Sequence, residues 1–100
     1  MVNEAQILHM LRMVVDPEIG VNIVDLGLVY KVDIQDQAIH IDLTMTSPTC
    51  PLHHVITSEA KTLLKRKFEN EIKTVDIRLV WEPPWNPEMM SSAARRQLGW

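Results

Sequence analysis

The residue of this chain most suited to reactive chemistry is its single cysteine, Cys50. It stands directly before Pro51, and proline is favoured at the first position of a helix because its missing N–H needs no partner there. The free N–H groups and the dipole of a helix N-terminus stabilise a thiolate. We therefore expect the pKa of Cys50 to lie below the usual value of about 8.5.

Two histidines follow this cysteine within one helical turn. His53 and His54 lie on the turn that stacks next to Cys50, so either imidazole can hydrogen-bond the sulfur or share a metal ion with it. Cys50, His53 and His54 are therefore the candidate metal ligands. A complete metal site needs three or four ligands, and one cysteine cannot supply the thiolates of an iron–sulfur cluster. The alternative is that Cys50 is a buried structural residue and the histidines are ordinary side chains.

Three carboxylates form a second group of candidates. Asp16 and Glu18 flank Pro17, and Asp25 lies in an irregular segment among aliphatic residues. Carboxylates in loops most often stabilise turns. An acid with apolar neighbours must be partnered or have a shifted pKa, so Asp25 is the strongest functional candidate of the three.

Large side chains are concentrated near the C-terminus. Trp81, Trp85 and Trp100 either pack on the domain or form an exposed docking patch, and Met89 and Met90 carry the same ambiguity. Both alternatives stay open at this stage, and we keep Trp85 as a functional candidate.

Periodicity groups the residues of each predicted element. In the first strand, Leu28, Tyr30, Val32 and Ile34 alternate with Val29, Lys31 and Asp33, and Gly27 before it is expected to supply a positive φ. In the second strand, one face carries Ile39, Ile41, Leu43 and Met45. The buried stripe predicted for the long helix consists of Leu52, Val55, Ile56, Ala60, Leu63, Leu64 and Phe68.

Hydrophobic spacing predicts the element order α-β-β-α-β followed by a tail. The predicted elements are a helix capped by Asn3 and ending near Val15, strands at 28–34 and 38–45, a helix from Cys50-Pro51 to Phe68, a strand at 75–81, and a last short helix capped by Asn86 and ending at Gly99. The helix between the second and third strands makes those strands parallel, with a right-handed crossover. We therefore expect a two-layer α+β domain with a small three-stranded mixed sheet and helices mainly on one face.

Length and composition narrow the function classes. One hundred residues, 46% of them hydrophobic and 23% charged, predict one globular domain over 1–100, whose tail at 82–100 packs on it or on a partner. A net charge of −3 argues against nucleic-acid binding. No apolar run is long enough to span a membrane, no secretory signal is present, and a lone cysteine cannot form an internal disulfide. A cytoplasmic location is expected.

Four blocks of sequence, taken together, resemble the SufT/PaaD family. The blocks are residues 16–20 (DPEIG), 22–30 (NIVDLGLVY), 44–51 (TMTSPTCP) and 81–85 (WEPPW), with Met90-Ser91 and Leu98-Gly99 matching at the end. Related domains stand at the N-terminus of Mrp-type ATPases. The resemblance implies a small α/β domain linked to iron–sulfur cluster assembly or to the maturation of Fe–S proteins.

The resemblance also implies which positions act. The reactive cysteine of the family falls on Cys50, its acidic positions on Asp16, Glu18 and Asp25, and its threonines on Thr44 and Thr46. It further implies that the only cofactor is a transient iron–sulfur cluster, and that the partners are Fe–S assembly proteins or Fe–S client proteins.

Three hypotheses follow for Cys50. The first is a non-catalytic accessory factor in which Cys50 engages a cluster, iron or a client thiol. The second is a structural adaptor with a buried cysteine, and the third is an enzyme with Cys50 as nucleophile and His53 or His54 as base. The shortage of ligands also predicts a homodimer, because two Cys50 thiolates across a twofold axis would supply half of the ligands of a cluster.

Overall fold

The computed structural model describes residues 2–46 and 53–99 of the chain. Its elements are α1 (Glu4–Leu11), β1 (Val29–Gln35), β2 (Ala38–Leu43), α2 (His53–Lys67), β3 (Thr74–Leu79), a 3-10 turn (Pro87–Met89) and α3 (Ser92–Leu98). The expected α-β-β-α-β order and α+β class are confirmed. No helix within the described ranges is long and apolar enough to cross a bilayer.

The three strands form one mixed sheet in the order β1-β2-β3. β1 and β2 are antiparallel neighbours joined by a tight turn, whereas β2 and β3 are parallel and connected through α2. Helix α1 packs against β1 and α2, and α2 packs against β3. The helices therefore cover one face of the sheet, and the other face, which we call the open face, carries mostly charged side chains.

The core lies between the sheet and the two long helices. Its fully buried side chains include Ile39, Ile41 and Leu43 of the central strand, Ile7 and Leu11 of α1, and Ile56 and Leu64 of α2. Burying one such side chain contributes roughly 1.5–3 kcal/mol. The alternation predicted for β2 is thus confirmed, and it sets which face of the sheet each strand buries.

The alternation predicted for the first strand is wrong at Tyr30. The register with β2 shifts between Val29 and Lys31, so Tyr30 is the extra residue of a β-bulge. Val29 lies opposite Leu43 and, with Val32, packs against the core. The bulge releases Tyr30 from the core pattern and turns its side chain towards the C-terminal residues.

The first helix is shorter than predicted. Its N-cap is confirmed, because Asn3 and Gln6 exchange reciprocal hydrogen bonds of 3.0 and 2.9 Å in a capping box. The helix ends at Leu11 rather than near Val15, which instead forms an isolated bridge with Asn22. After Leu11 the helical hydrogen bonds tighten, because the Val14 N–H donates to the Leu11 carbonyl three residues back, and Val14 then accepts from the Ile23 N–H of the returning chain.

The single C-terminal helix predicted from Asn86 to Gly99 is two elements. Asn86 caps the 3-10 turn as expected, but Met90 is extended and α3 has its own N-cap in Ser91, whose hydroxyl accepts from the Ala94 N–H. A serine side chain that caps a new helix competes with continuation of the old one. Gly99, in the left-handed region, ends α3 as predicted.

The second long helix is described from His53 onwards, so its predicted start at Cys50-Pro51 lies outside the described residues. Most of the predicted buried stripe is confirmed, in Ile56, Leu64 and Phe68. Val55 was predicted in that stripe and is 51% exposed, because it points to the flank of α2.

Candidate functional site

Thr44 follows the last residue of β2 and is the most unusual polar residue of the structure. Its backbone N–H donates to the Leu28 carbonyl at 2.8 Å, and the residue is only 1% exposed. Among the described residues, its Oγ1 has no hydrogen-bond partner of good geometry. A buried hydroxyl left without a partner costs roughly 1–3 kcal/mol, so packing alone does not account for a threonine here.

Tyr30 lies beside Thr44, at the bulge of β1. Its hydroxyl is within reach of two acceptors, the Pro83 carbonyl at 2.8 Å and Met89 Sδ at 3.3 Å. A phenol has one proton to donate, and the closer carbonyl is the stronger acceptor. Burial raises the pKa of Tyr30 above its ordinary value of 10.0, and contact with the Thr44 hydroxyl offsets part of this rise.

Residues 82–91, which we call the strap, cross the loop that precedes β1. Trp85 Nε1 donates to the Leu26 carbonyl at 2.7 Å, and the Ser91 N–H donates to the Asp25 carbonyl at 2.8 Å. Trp85 also packs against the core, so of its two expected roles the structure shows the packed one. The strap is thereby held next to Tyr30.

Gly27 allows this close approach. Its φ of +79° lies in the left-handed region, and a Cβ at this position would overlap the carbonyl oxygen of Met89. A residue with a side chain would therefore push the strap away from the loop. The sequence indicated a positive φ at Gly27 but not the passage of the strap over it.

The acidic candidates are divided between two turns. Asp16 is buried, and its Oδ1 accepts from the Glu18 N–H at 2.9 Å, while Glu18 is exposed. Asp25 is half-buried and exchanges two hydrogen bonds of 2.7 and 2.9 Å with Asn22. Both aspartates therefore stabilise local turns. Within the described ranges, no hydrogen bond joins either of them to the Thr44 hydroxyl.

His53 and His54 are the first two residues of α2. Their rings lie 3.9 Å apart and are tilted by 48°. His54 is exposed, whereas His53 is half-buried and its Nδ1 is buried without a partner in the part of the chain that the structure describes. This nitrogen is free to accept a hydrogen bond or to bind a metal ion.

Cys50, the principal candidate, lies outside the described residues. The residues that flank its segment are described: Thr46 is half-buried after β2, and His53 begins α2. Residues 2–46 and 53–99 contain no group of three or more histidine, cysteine or acidic side chains placed to hold a metal ion. The third expected ligand, Cys50, lies outside these ranges, so the metal site stays a prediction.

Tyr30 is the site residue that sequence reasoning missed. Alternation places it on the same face as Leu28, Val32 and Ile34, and the bulge that redirects it has no readable signal in one sequence. The one available hint is chemical: a tyrosine among aliphatic residues needs a partner for its hydroxyl when it is buried.

A family model described as iron–sulfur cluster assembly protein matches residues 4–77 of the chain. The matched range includes Asp16, Tyr30, Thr44 and His53, and it ends before the strap. Residues 82–91 thus lie outside the part of the chain that the family model covers.

Three known proteins are similar over most of the chain. The Fe-S protein maturation auxiliary factor SufT of Staphylococcus aureus (strain USA300) is 44% identical over 88 residues, 87% of this chain and 98% of that protein. The Fe-S protein maturation auxiliary factor YitW of Bacillus subtilis (strain 168) is 45% identical over 94 residues, 93% of this chain and 90% of that protein. The crystal structure of a domain of unknown function, DUF59, from Bacillus anthracis has a TM-score of 0.90 at 40% identity, covering 96% of this chain and 91% of that one.

Proposed function

Since the chain belongs to the family of iron–sulfur cluster assembly proteins, as its resemblance to SufT/PaaD predicted, we propose that it is a non-catalytic auxiliary factor in the maturation of Fe–S proteins. Two relatives, which are 44% and 45% identical to this chain, are each named Fe-S protein maturation auxiliary factor. The partners proposed for it are Fe–S assembly proteins and Fe–S client proteins.

The acting group in this proposal is the thiolate of Cys50. It gives an electron pair to iron and is displaced when a client thiolate takes its place, so no group is oxidised or reduced in the exchange. The chain has one cysteine, whereas a cluster is held by about four ligands. The cluster is therefore cargo, and its remaining ligands come from the protein that delivers or receives it.

The observation that carries the proposal is the buried hydroxyl of Thr44. Its polar neighbour is the Tyr30 hydroxyl, and among the described residues it makes no hydrogen bond of good geometry. It stands six residues before Cys50 in the chain. A hydroxyl donor to the thiolate or to the sulfide of the cargo stabilises negative charge on sulfur, and charge-assisted hydrogen bonds of this kind are the stronger ones.

His53 supplies the second polar group of the proposed site. Its Nδ1, which has no partner among the described residues, belongs to a residue three positions after Cys50, a spacing at which side chains on a helix are neighbours. In this role the imidazole accepts the thiol proton when iron binds. His54 is exposed and serves as its matched comparison.

The test is complementation of a host strain that lacks this protein. The activities of its Fe–S enzymes are measured under iron limitation with the wild-type chain, Cys50→Ser, Thr44→Val and Thr57→Val. We expect Cys50→Ser to give no complementation and Thr44→Val to give less than wild type. Thr57→Val should behave as wild type, because the Thr57 hydroxyl is already bonded to the carbonyls of His53 and His54.

Stability separates a functional effect of Thr44→Val from a folding defect. Removing a buried hydroxyl that has no partner should leave the free energy of unfolding unchanged or raise it by about 1 kcal/mol. Full complementation by Cys50→Ser would eliminate the thiolate mechanism and leave the adaptor hypothesis. A Thr44→Val variant that is both less stable and inactive would assign Thr44 a structural role.

A further inference from the structure

The outer edge of β3 is open. β3 pairs with β2 on one side, and no backbone hydrogen bond from the described residues reaches its other side. The N–H groups of Thr74 and Val80 point towards β2, with hydrogen bonds of 3.2 and 2.8 Å to carbonyls on that side. Because neighbouring residues of a strand point their backbone groups in opposite directions, Val75, Ile77 and Leu79 present theirs to the open side.

This edge lacks several of the devices that protect edge strands. Natural edges are blunted by prolines, bulges or charged side chains, and Thr74–Leu79 contains no proline and pairs with β2 without a register shift. Its charged residues, Asp76 and Arg78, carry opposite signs and so permit pairing with a strand of complementary charge. Ile77 and Leu79, on its core side, are only half-buried. A strand of this kind is suited to pairing with another strand.

The charges of the open face indicate which strand can pair with the outer edge of β3. In one row across the sheet, Lys31, Asp42 and Arg78 alternate in sign, with Arg78 Nη2 3.1 Å from Asp42 Oδ2. In the next row, His40 lies between two acids and its Nδ1 is 3.6 Å from Asp76 Oδ2. Arg78 and Asp76 are 75% and 72% exposed, so each can accept another partner of opposite charge.

We propose that β3 pairs antiparallel with β3 of a second copy, about a twofold axis through Ile77. Ile77 then lies opposite its own copy, and Asp76 of each copy lies opposite Arg78 of the other. The outward N–H and C=O groups of Val75, Ile77 and Leu79 meet in this register. Asp76 and Arg78 occupy the positions between them, where opposed side chains are closest.

The rows of polar side chains then continue across the whole six-stranded sheet. One complete row is Lys31, Asp42 and Arg78 of one copy followed by Asp76, His40 and Asp33 of the other. The neighbouring twofold registers are displaced by two residues and set Asp76 against Asp76 or Arg78 against Arg78. Like charges directly opposite are destabilising, so the pattern selects one register.

The test is sedimentation over a range of concentrations with charge variants of the edge. Arg78→Asp and Asp76→Arg each create two like-charge pairs and should raise the dimer dissociation constant about tenfold or more. The double variant Asp76→Arg/Arg78→Asp should restore it to within about threefold of wild type. Asp42→Asn, which breaks the pair with Arg78 inside the chain, is the matched control and should remain dimeric.

A wild-type protein that stays monomeric at every concentration would overturn the proposal. A dimer whose dissociation constant is unchanged in Arg78→Asp and Asp76→Arg would overturn it as well. Circular dichroism of each variant shows whether it is folded. Loss of the dimer in Cys50→Ser or on chelation would overturn it too, since the contact would then be a metal bridge. None of these results bears on the role of Cys50 in Fe–S maturation, which complementation tests separately.

Discussion

Two hydroxyl groups lie side by side where β1 begins and β2 ends, and the fold treats them differently. The Tyr30 hydroxyl donates to the Pro83 carbonyl and so holds the strap, whereas Thr44 Oγ1 has no hydrogen bond of good geometry within the described residues. The hydrogen bond to Pro83 gives the Tyr30 hydroxyl a structural role, whereas no hydrogen bond of good geometry explains the burial of Thr44. This difference is why Thr44, rather than Tyr30, enters the proposed function.

The role of Tyr30 predicts a loss of stability in alkali. Because its pKa is raised in the folded state, the neutral phenol stabilises the fold fully below the unfolded value of about 10. That contribution is lost as the pH rises through the higher pKa of the folded state. We expect the free energy of unfolding of the wild type to fall more steeply above pH ~10 than that of Tyr30→Phe.

This prediction is measurable at one residue, because Tyr30 is the only tyrosine of the chain. The ultraviolet absorbance of tyrosinate therefore reports its pKa directly in the native protein and in denaturant. A native midpoint equal to the denatured one would contradict the prediction. At neutral pH, Tyr30→Phe should cost about 0.5–1.5 kcal/mol for the lost hydrogen bond.

At the scale of elements, the strap depends on one glycine. Gly27→Ala places a Cβ against the Met89 carbonyl and also strains a residue with φ of +79°. We expect a loss of roughly 2–3 kcal/mol in the free energy of unfolding, together with displacement of Trp85. Denaturation curves and tryptophan fluorescence measure the two effects.

Gly20→Ala is the matched control. Gly20 has a nearly equal φ of +82° but open space around the position of a Cβ. Gly20→Ala should therefore lower the free energy of unfolding only by the strain of an alanine in the left-handed region, about 1 kcal/mol, and leave Trp85 in place. Equal losses in the two variants would mean that the strap does not press on Gly27.

The elements that could be predicted from the sequence are those whose pattern is local. The alternation of Ile39, Ile41 and Leu43 and the capping box at Asn3 each lie within a few residues, and both are confirmed. The bulge at Tyr30 and the break before α3 depend on contacts with distant residues, such as Pro83 and Asp25. No spacing rule within one strand or helix contains that information.

The candidate site could be predicted only in part, because some of its contacts depend on the path of the loops and not on a local pattern. The resemblance identified Thr44 as a functional position, and the structure adds that its hydroxyl is buried and unpartnered. The turn role that is usual for loop carboxylates is confirmed for Asp16 and Asp25, whereas their exact partners are set by the path of each loop. Cys50 lies outside the described residues, so its reactivity stays a prediction.

At the scale of the whole molecule, the proposed edge dimer sets the two copies of Thr44 far apart. The twofold axis at Ile77 makes the two copies of β2 run in opposite directions. Thr44 follows β2 level with Val80, so the two copies of Thr44 lie roughly 25 Å apart at opposite ends of the sheet. In this dimer we expect each copy to bind its own cargo.

Cross-linking distinguishes the edge dimer from a dimer bridged by two Cys50 thiolates. In a Cys50→Ser background, Ile77→Cys places one thiol opposite its own copy, where paired Cα atoms are about 5.5 Å apart and within the range of a disulfide. Mild oxidation should therefore convert this variant to a covalent dimer, as seen by non-reducing electrophoresis. The wild-type protein, with Cys50 alone, should stay uncross-linked under the same conditions and with short bifunctional thiol reagents. The reverse result, efficient linkage through Cys50 and none through Ile77→Cys, would place the twofold axis at the cysteine and let two chains share one cluster.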